Sequence, residues 1–183
     1  QTLPCAYING CWMDLLSAIV MSSLSSFILL FLFLPILAPA IVVLAQDWPQ
    51  DYLYAHNAAR AEVGVGPMGW DGNLAAYAQW YANTRSGDCS LTHSRGPYGE
   101  NLAWSGGYMS GTTAVQLWLN EKPYYDYYWD VCTWGQQCRH YTQIVWRSST
   151  LLGCGKATCS DGVGTFVVCS YYPPGNYVGQ RPF

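Results

Sequence analysis

Six cysteines, at positions 89, 132, 138, 154, 159 and 169, punctuate this 183-residue chain from its middle onward. An even set of this kind in an exported domain reads as a disulfide framework, so the chain is restricted to folds in which three cross-links can close. Sequence alone leaves the pairing open. Zinc is the competing use of clustered cysteines, but Cys132-x5-Cys138, Cys154-x4-Cys159 and Cys159-x9-Cys169 lack the close CxxC knuckles of structural zinc sites.

Export is read from the other end of the chain. Residues 27–44 (FILLFLFLPILAPAIVVL) carry no charge and run into Val43-Leu44-Ala45, a small-residue site of the kind signal peptidase cuts. The run is barely long enough to cross a bilayer, and Pro35 and Pro39 interrupt it, which favours a cleaved leader over an anchor. Residues 1–45, with Cys5 and Cys11, are therefore expected to be a leader whose true start is Met13 or Met21. Residues 46–183 form one domain, since no repeat, linker or low-complexity tract divides them. This stretch has no Asn-x-Ser/Thr site, so N-glycosylation is not expected.

The net charge is −3 and no Lys/Arg cluster appears, so the basic footprint of a nucleic-acid binder is missing. Only 10% of residues are charged, whereas there are nine Trp and fifteen Tyr; rings must therefore reach the surface and its clefts, which points to an apolar ligand or partner. The domain is read as a monomer.

Local patterns predict helices on both sides of a small sheet. One helix begins near Pro49, a residue suited to the first turn, and stops at Gly64. A second is capped by Asp71 and carries an apolar stripe of Leu74, Tyr77, Ala78, Tyr81 and Ala82 as far as Gly87. A third starts with Thr112 or Thr113 as cap and ends before Pro123, with Glu121 leaning over its apolar side. A short helical stretch over residues 140–146 precedes two strands, LGCGKATC and GTFVVCSYY. Ser160-Asp161-Gly162 turns between those strands, and a Cys159–Cys169 bridge would staple the hairpin.

Four ionisable residues carry the chemistry. His93 and Glu100 lie in THSRGPYGEN, Glu121 ends the third helix, and His140 lies in CRHYTQIVW. Two imidazoles and two carboxylates in one cleft would suit zinc or another divalent cation, and equally a hydrogen-bonded polar network. No cofactor is required, and no nucleophile stands beside a base: Ser94 follows His93 without a G-x-S-x-G elbow. The chain is read as a non-enzyme, with a metal-dependent hydrolase as one alternative.

Residues 139–149 (RHYTQIVWRSS) and 166–177 (FVVCSYYPPGNY) resemble the two signatures of the CAP superfamily, the cysteine-rich secretory proteins, insect venom antigens and pathogenesis-related proteins that share the SCP domain. HNAARAEVGVGPMGWD, GENLAW and AVQLWLNEK are similar to plant group 1 pathogenesis-related proteins in particular. The resemblance implies an α+β fold, an α-β-α sandwich with a small antiparallel sheet between helices and three disulfides. It makes His93, Glu100, Glu121 and His140 the cleft tetrad and pairs Cys89 with Cys154, Cys132 with Cys138, and Cys159 with Cys169. It further implies a secreted defence protein of the apoplast or vacuole, antifungal and anti-oomycete through sterol or lipid binding, with a pathogen membrane or an apoplastic protein as partner.

The run Tyr124, Tyr125, Asp126, Tyr127, Tyr128, Trp129 offers a ligand surface, because ring faces bury a flat apolar body while a hydroxyl or indole N–H meets a sterol hydroxyl. Six such residues in a row cannot all face inward on one element. Residues 173–183 (PPGNYVGQRPF) resemble a signalling peptide that related plant proteins release after Cys-Asn-Tyr-x. Here Ser170 stands in place of the Asn, Tyr172 in place of the acidic residue, and the last residue is Phe rather than Tyr. A peptide precursor is the other alternative, and a packed Pro/Gly-rich tail the plain one.

Overall fold

The computed structural model describes residues 47–183; the expected leader, with Cys5 and Cys11, lies outside the described residues. Helix α1 (Pro49–Glu62) starts with proline in its first turn, and the Asp51 carboxylate accepts the Trp48 N–H at 2.9 Å. It ends two residues before Gly64, which takes a left-handed φ of 71°. After strand β1 (Gly69–Trp70) comes α2 (Gly72–Arg85), capped by Asp71, whose side chain accepts the N–H groups of Asn73 and Leu74 at 2.9 Å. Its expected stripe is buried at Leu74, Ala78, Tyr81 and Ala82, while Tyr77 is half-buried.

Strand β2 (Gly99–Ser105) follows, then α3 (Gly111–Leu119), β3 (Tyr125–Asp126), β4 (Val131–Cys132), α4 (Arg139–Ile144), β5 (Leu151–Thr158) and β6 (Thr165–Tyr172). Two expectations about α3 need correction. Its cap is Ser110, whose Oγ accepts the Thr113 N–H at 3.1 Å, rather than Thr112 or Thr113. The helix stops at Leu119, so Glu121 sits in the turn leading into the 3-10 turn Lys122–Tyr124 and points its carboxylate away from α3, towards α4. The sheet order is β1-β5-β6-β2. β6 is antiparallel to both neighbours, whereas β1 joins parallel to β5, so the sheet is mixed rather than purely antiparallel.

β6 reads the period-two rule along its length. Val167, Cys169 and Tyr171 face the layer of α1, α3 and α4, packing with Tyr52, Val115, Trp118 and Ile144. Phe166 and Val168 face α2 and meet Ala78, Tyr81 and Ala82. On β5, Gly153 and Gly155 face α2; a Cβ at either would collide with the backbone of Leu74–Ala75 or Ala78–Gln79, so only glycine lets helix and strand approach this closely. Helices on both faces of the sheet make the α-β-α sandwich.

The disulfides connect as Cys89–Cys159, Cys132–Cys138 and Cys154–Cys169. All six cysteines pair, but only the middle bridge matches the partners implied by family resemblance. The reason is register. The Asp161 side chain accepts the N–H groups of Val163 and Gly164, closing a tight turn in which the Cys159 N–H donates to Gly164 O at 2.8 Å. Counting inward from that turn, Cys169 faces Cys154 directly, with Cα atoms 4.1 Å apart. Cys159, one residue beyond β5, reaches Cys89 on the α2 side instead, at a Cα separation of 5.8 Å.

A polar chain threads the core. His56 Nδ1 bonds to Tyr52 O at 2.8 Å, which makes it the donor; Nε2 therefore accepts the Tyr171 hydroxyl at 2.9 Å, and that hydroxyl accepts Asn101 Nδ2 at 3.0 Å. The Arg60 guanidinium, also buried, donates to Gly66 O, Ile144 O and Trp146 O at 2.7 to 2.9 Å and ties α1 to the end of α4. Complete burial lowers the His56 pKa to about 4, against a partial counter-effect of its bond to Tyr52 O.

Because the unfolded chain takes up this proton near pH 6.5 and the folded chain only near 4, His56 contributes stability in full above about pH 6.5 and loses it as pH falls towards about 4. We expect urea unfolding to show on the order of 3 kcal/mol lost across that window, with a flatter pH dependence in His56→Gln; equal slopes for the two proteins would refute the assignment.

Candidate functional site

The loop after α2 delivers His93, and β2 delivers Glu100 and Asn101, to one edge of the sheet. Glu100 Oε1 bonds to His93 Nδ1 at 2.7 Å and accepts the Ser94 N–H at 2.9 Å, while Oε2, buried, has no partner among the described residues. Burial alone would push the Glu100 carboxyl up; the hydrogen bonds from His93 and Ser94 outweigh it and hold the carboxyl below its usual range. The bond to Glu100 raises the His93 pKa against desolvation. His93 remains open to solvent, its side chain 60% exposed.

Glu121 and His140 form a second pair. Glu121 Oε1 lies 2.6 Å from His140 Nδ1, and Oε2 accepts the backbone N–H groups of His140 and Tyr141 at 3.0 and 3.3 Å. The carboxylate thus caps the first turn of α4, where N–H groups have no intrahelical acceptor and the helix dipole favours negative charge. The Trp118 indole stacks on the His140 ring, with centroids 6.3 Å apart and planes 22° apart.

His93, Glu100 and His140 line one cleft of about 410 Å³, together with Asn101, Arg139 and Asn176. Glu121 holds His140 but is not part of the cleft wall. Asn101 Nδ2 donates to His140 O at 3.0 Å as well as to Tyr171, so the cleft is wired to the buried chain ending at His56. Asn176, at a left-handed φ of 60°, bridges Arg139 O and the Thr142 hydroxyl. Neither asparagine was a sequence candidate; the signals were the Asn in GENL and the Gly-Asn pair at 175 and 176, where a short polar side chain tolerates that φ.

The tetrad was expected to meet as one set, and the structure resolves it into two carboxylate–imidazole pairs. Among the described residues no three His, Cys, Asp or Glu side chains stand close enough to hold an ion. Each imidazole is instead bonded through Nδ1 to its own carboxylate. Ser94 is no better placed as a nucleophile: its Oγ accepts the Tyr77 hydroxyl at 3.1 Å and the Gly96 N–H at 3.2 Å, with no bond to His93.

Residues 53–171 match the model of the cysteine-rich secretory protein family, CAP. Pathogenesis-related protein 1 of Arabidopsis thaliana is 60% identical over 139 residues, covering 76% of this chain and 84% of that protein. The chain belongs to the CAP family. Pathogenesis-related protein 1C of Nicotiana tabacum is 49% identical over 166 residues, 90% of this chain and 98% of that protein. Among solved structures, Na-ASP-1 superposes with a TM-score of 0.59 at 28% identity, over 73% of this chain and 40% of that one. Venom allergen-like protein 4 of Schistosoma mansoni, at TM-score 0.57 and 24% identity over 73% and 92% of the two chains, shows the same fold. The names of the plant relatives support a role in defence. Three disulfides fit the oxidising compartments of a secreted protein. No helix of the described residues is long and apolar enough to cross a membrane.

In this CAP domain the aromatic run stands apart from the cleft, whose wall contains none of Tyr124, Tyr125, Tyr127, Tyr128 and Trp129. The run crosses from β3 into the turn before β4, closed by Asp126, which accepts the Trp129 N–H at 3.0 Å, and the loop beyond is stapled by Cys132–Cys138. Tyr128 and Trp129 are 73% and 70% exposed, and Trp134, in the stapled loop, is 98% exposed. Tyr125 is half-buried, its hydroxyl donating to Asp130 at 2.8 Å. The tail is held at both ends, where the Ser149 hydroxyl donates to Pro173 O, the Gly175 N–H to Gln143 Oε1 and the Arg147 N–H to Pro182 O, while residues 177–181 between them are exposed.

Removing the acceptor should reset His93. In Glu100→Gln we expect the His93 imidazole, followed by NMR, to titrate lower than in the parent chain, because the acceptor that raises it is gone; an unchanged pKa would show that Glu100 does not hold the proton there.

Proposed function

We propose that this chain is an exported, pathogenesis-related defence protein that acts on fungi and oomycetes by binding sterols or related lipids on its aromatic loop, without catalysing a reaction. The observation that carries this reading is the exposure of Tyr128 and Trp129 at the tip of a short hairpin, beside a loop braced by a disulfide. Singly exposed rings are ordinary on a surface, but these two form a contiguous edge-to-face pair with centroids 4.8 Å apart. One apolar face with an indole N–H and a phenol at its edge matches a ligand that is a flat hydrocarbon carrying a single hydroxyl. A pre-braced loop also loses less conformational freedom on binding than a free one. An apoplastic or vacuolar location is the setting in which such a protein meets a pathogen membrane.

The absence of catalysis is supported by how the ionisable groups are used. Glu121 is committed to the first turn of α4, Glu100 to His93 and Ser94, and Ser94 to Tyr77 and Gly96. None is poised to activate a nucleophile. The test is a sterol titration on the oxidised protein paired with a pathogen growth assay. Tyr128→Ala and Trp129→Ala are each expected to weaken binding about tenfold, on the order of 1.4 kcal/mol, with little change in Tm because both side chains are exposed; parent-like affinity in both variants would remove the loop from the mechanism.

A further inference from the structure

Tyr125 and Tyr127 belong to the same run as Tyr128 and Trp129, but Phe183 packs on both: Tyr125 is half-buried, and Tyr127, 47% exposed, has one ring face occupied. The Phe183 ring stacks on Tyr127, with centroids 4.8 Å apart and planes 18° apart, and meets Tyr125 edge-on at 6.4 Å. The Tyr127 hydroxyl donates to the Phe183 backbone oxygen at 2.8 Å. Arg181 donates from Nε to Tyr127 O at 3.0 Å and from Nη2 to Tyr128 O at 2.8 Å, and its guanidinium lies 5.6 Å above the Tyr127 ring. Buried Pro182 accepts the Arg147 N–H through its carbonyl.

These anchors fall on three consecutive residues, 181, 182 and 183. Just before them Val178 is wholly exposed, and Gly179 turns the chain at a φ of 80°. A group of contacts joined to the domain through such a stretch can leave by local opening, giving up the Pro182 and Phe183 packing at the edge of the core and leaving its centre intact. Its bonds are charge-assisted or aromatic, but at a solvent-exposed site, where each is individually weak.

We propose that Arg181, Pro182 and Phe183 form a latch over the aromatic loop, and that lifting it adds the Tyr125 and Tyr127 rings to Tyr128 and Trp129 as one continuous lipid-binding face. This inference rests on the sterol-binding reading and adds its regulation. Phe183 occupies in the closed form the ring faces a sterol would use, so ligand and latch compete. Apparent affinity then equals the open-form affinity multiplied by the fraction of molecules that are open, and anything that loosens the latch strengthens binding without adding a contact.

The experiment uses the full chain as secreted, with Arg181→Ala and Phe183→Ala alongside the parent, titrated with ergosterol and followed by amide hydrogen exchange over residues 125–129. Both variants are expected to exchange faster in that segment and to bind ergosterol about tenfold tighter; Arg181→Ala, at an exposed position, should melt like the parent, and Phe183→Ala, whose ring packs on the edge of the core, somewhat lower. Arg181→Lys, which keeps the charge and loses the two-pronged fork, should fall between parent and alanine variant. Affinities equal to or weaker than a parent that does bind would overturn the latch and leave the sterol reading standing. Failure of all the proteins to bind would sink the sterol reading and the latch with it, and the two failures are told apart by the parent's own titration.

Discussion

Strand β6 is buried almost from end to end between two helical layers, and its register against β5 sets what the rest of the domain can do. The Asp161 turn places Cys169 opposite Cys154, and from that single alignment the two faces of the strand are assigned: Val167, Cys169 and Tyr171 to one core, Phe166 and Val168 to the other. A slip of one residue would exchange those faces and move every one of these side chains into the wrong layer. The bridge at 154 and 169 locks the alignment covalently, and the pair of glycines on β5 lets α2 lie close enough to seal the second face. Tyr171 then arrives at the one place where its hydroxyl connects His56 to Asn101, and through Asn101 to the backbone of His140.

The cleft inherits its order from that arrangement. Its two imidazoles are each fixed through Nδ1 by a carboxylate, yet the carboxylates differ in what else they hold. Glu100 organises the loop that follows α2 by accepting the Ser94 N–H, and Glu121 organises α4 by accepting two backbone donors. Residues that a motif groups into one tetrad therefore act in this chain as two joints, one between loop and sheet and one between α3 and α4. Conserving such a set would preserve the shape of the cleft whether or not a ligand enters it, because an unmet carboxylate or helix N-terminus at these positions costs free energy in every molecule.

Much of this was legible in the sequence where the signal is local. Pro49, Asp71, Gly64 and the stripe from Leu74 to Ala82 each state a helix boundary or face in a few residues, and the alternation in TFVVCSYY states a strand. What was not legible depends on partners distant in the chain. GENLAWS has weak strand formers at Gly99 and Asn101, and it becomes β2 only because β6 offers it seven residues of pairing. The disulfide partners escaped because the register of the β5–β6 hairpin decides which cysteine faces Cys169, Cys159 doing so only if the pairing slid by five residues, and the family resemblance carried no register. Glu121 was read as a helix-face residue since spacing extends a helix that Asn120 in fact ends. In the site, the identities of His93, Glu100, Glu121 and His140 were readable from motifs, whereas their division into pairs and the role of Asn101 required the fold.

The aromatic loop shows the reverse relation, in which composition spoke before structure. Residues 124–129 are too ring-rich to be buried on one element, so exposure of some was dictated in advance. The chain answers this in two ways at once: it turns Tyr128 and Trp129 outward and lays Phe183 across Tyr127. Covering part of an apolar patch with the protein's own residues limits adventitious association, since a contiguous face of four rings would invite it. The same economy explains why the cover is built from an arginine fork and a stacked ring rather than a disulfide or a strand pairing. Those stronger devices would make the face permanently core, whereas contacts of this strength leave it at the surface.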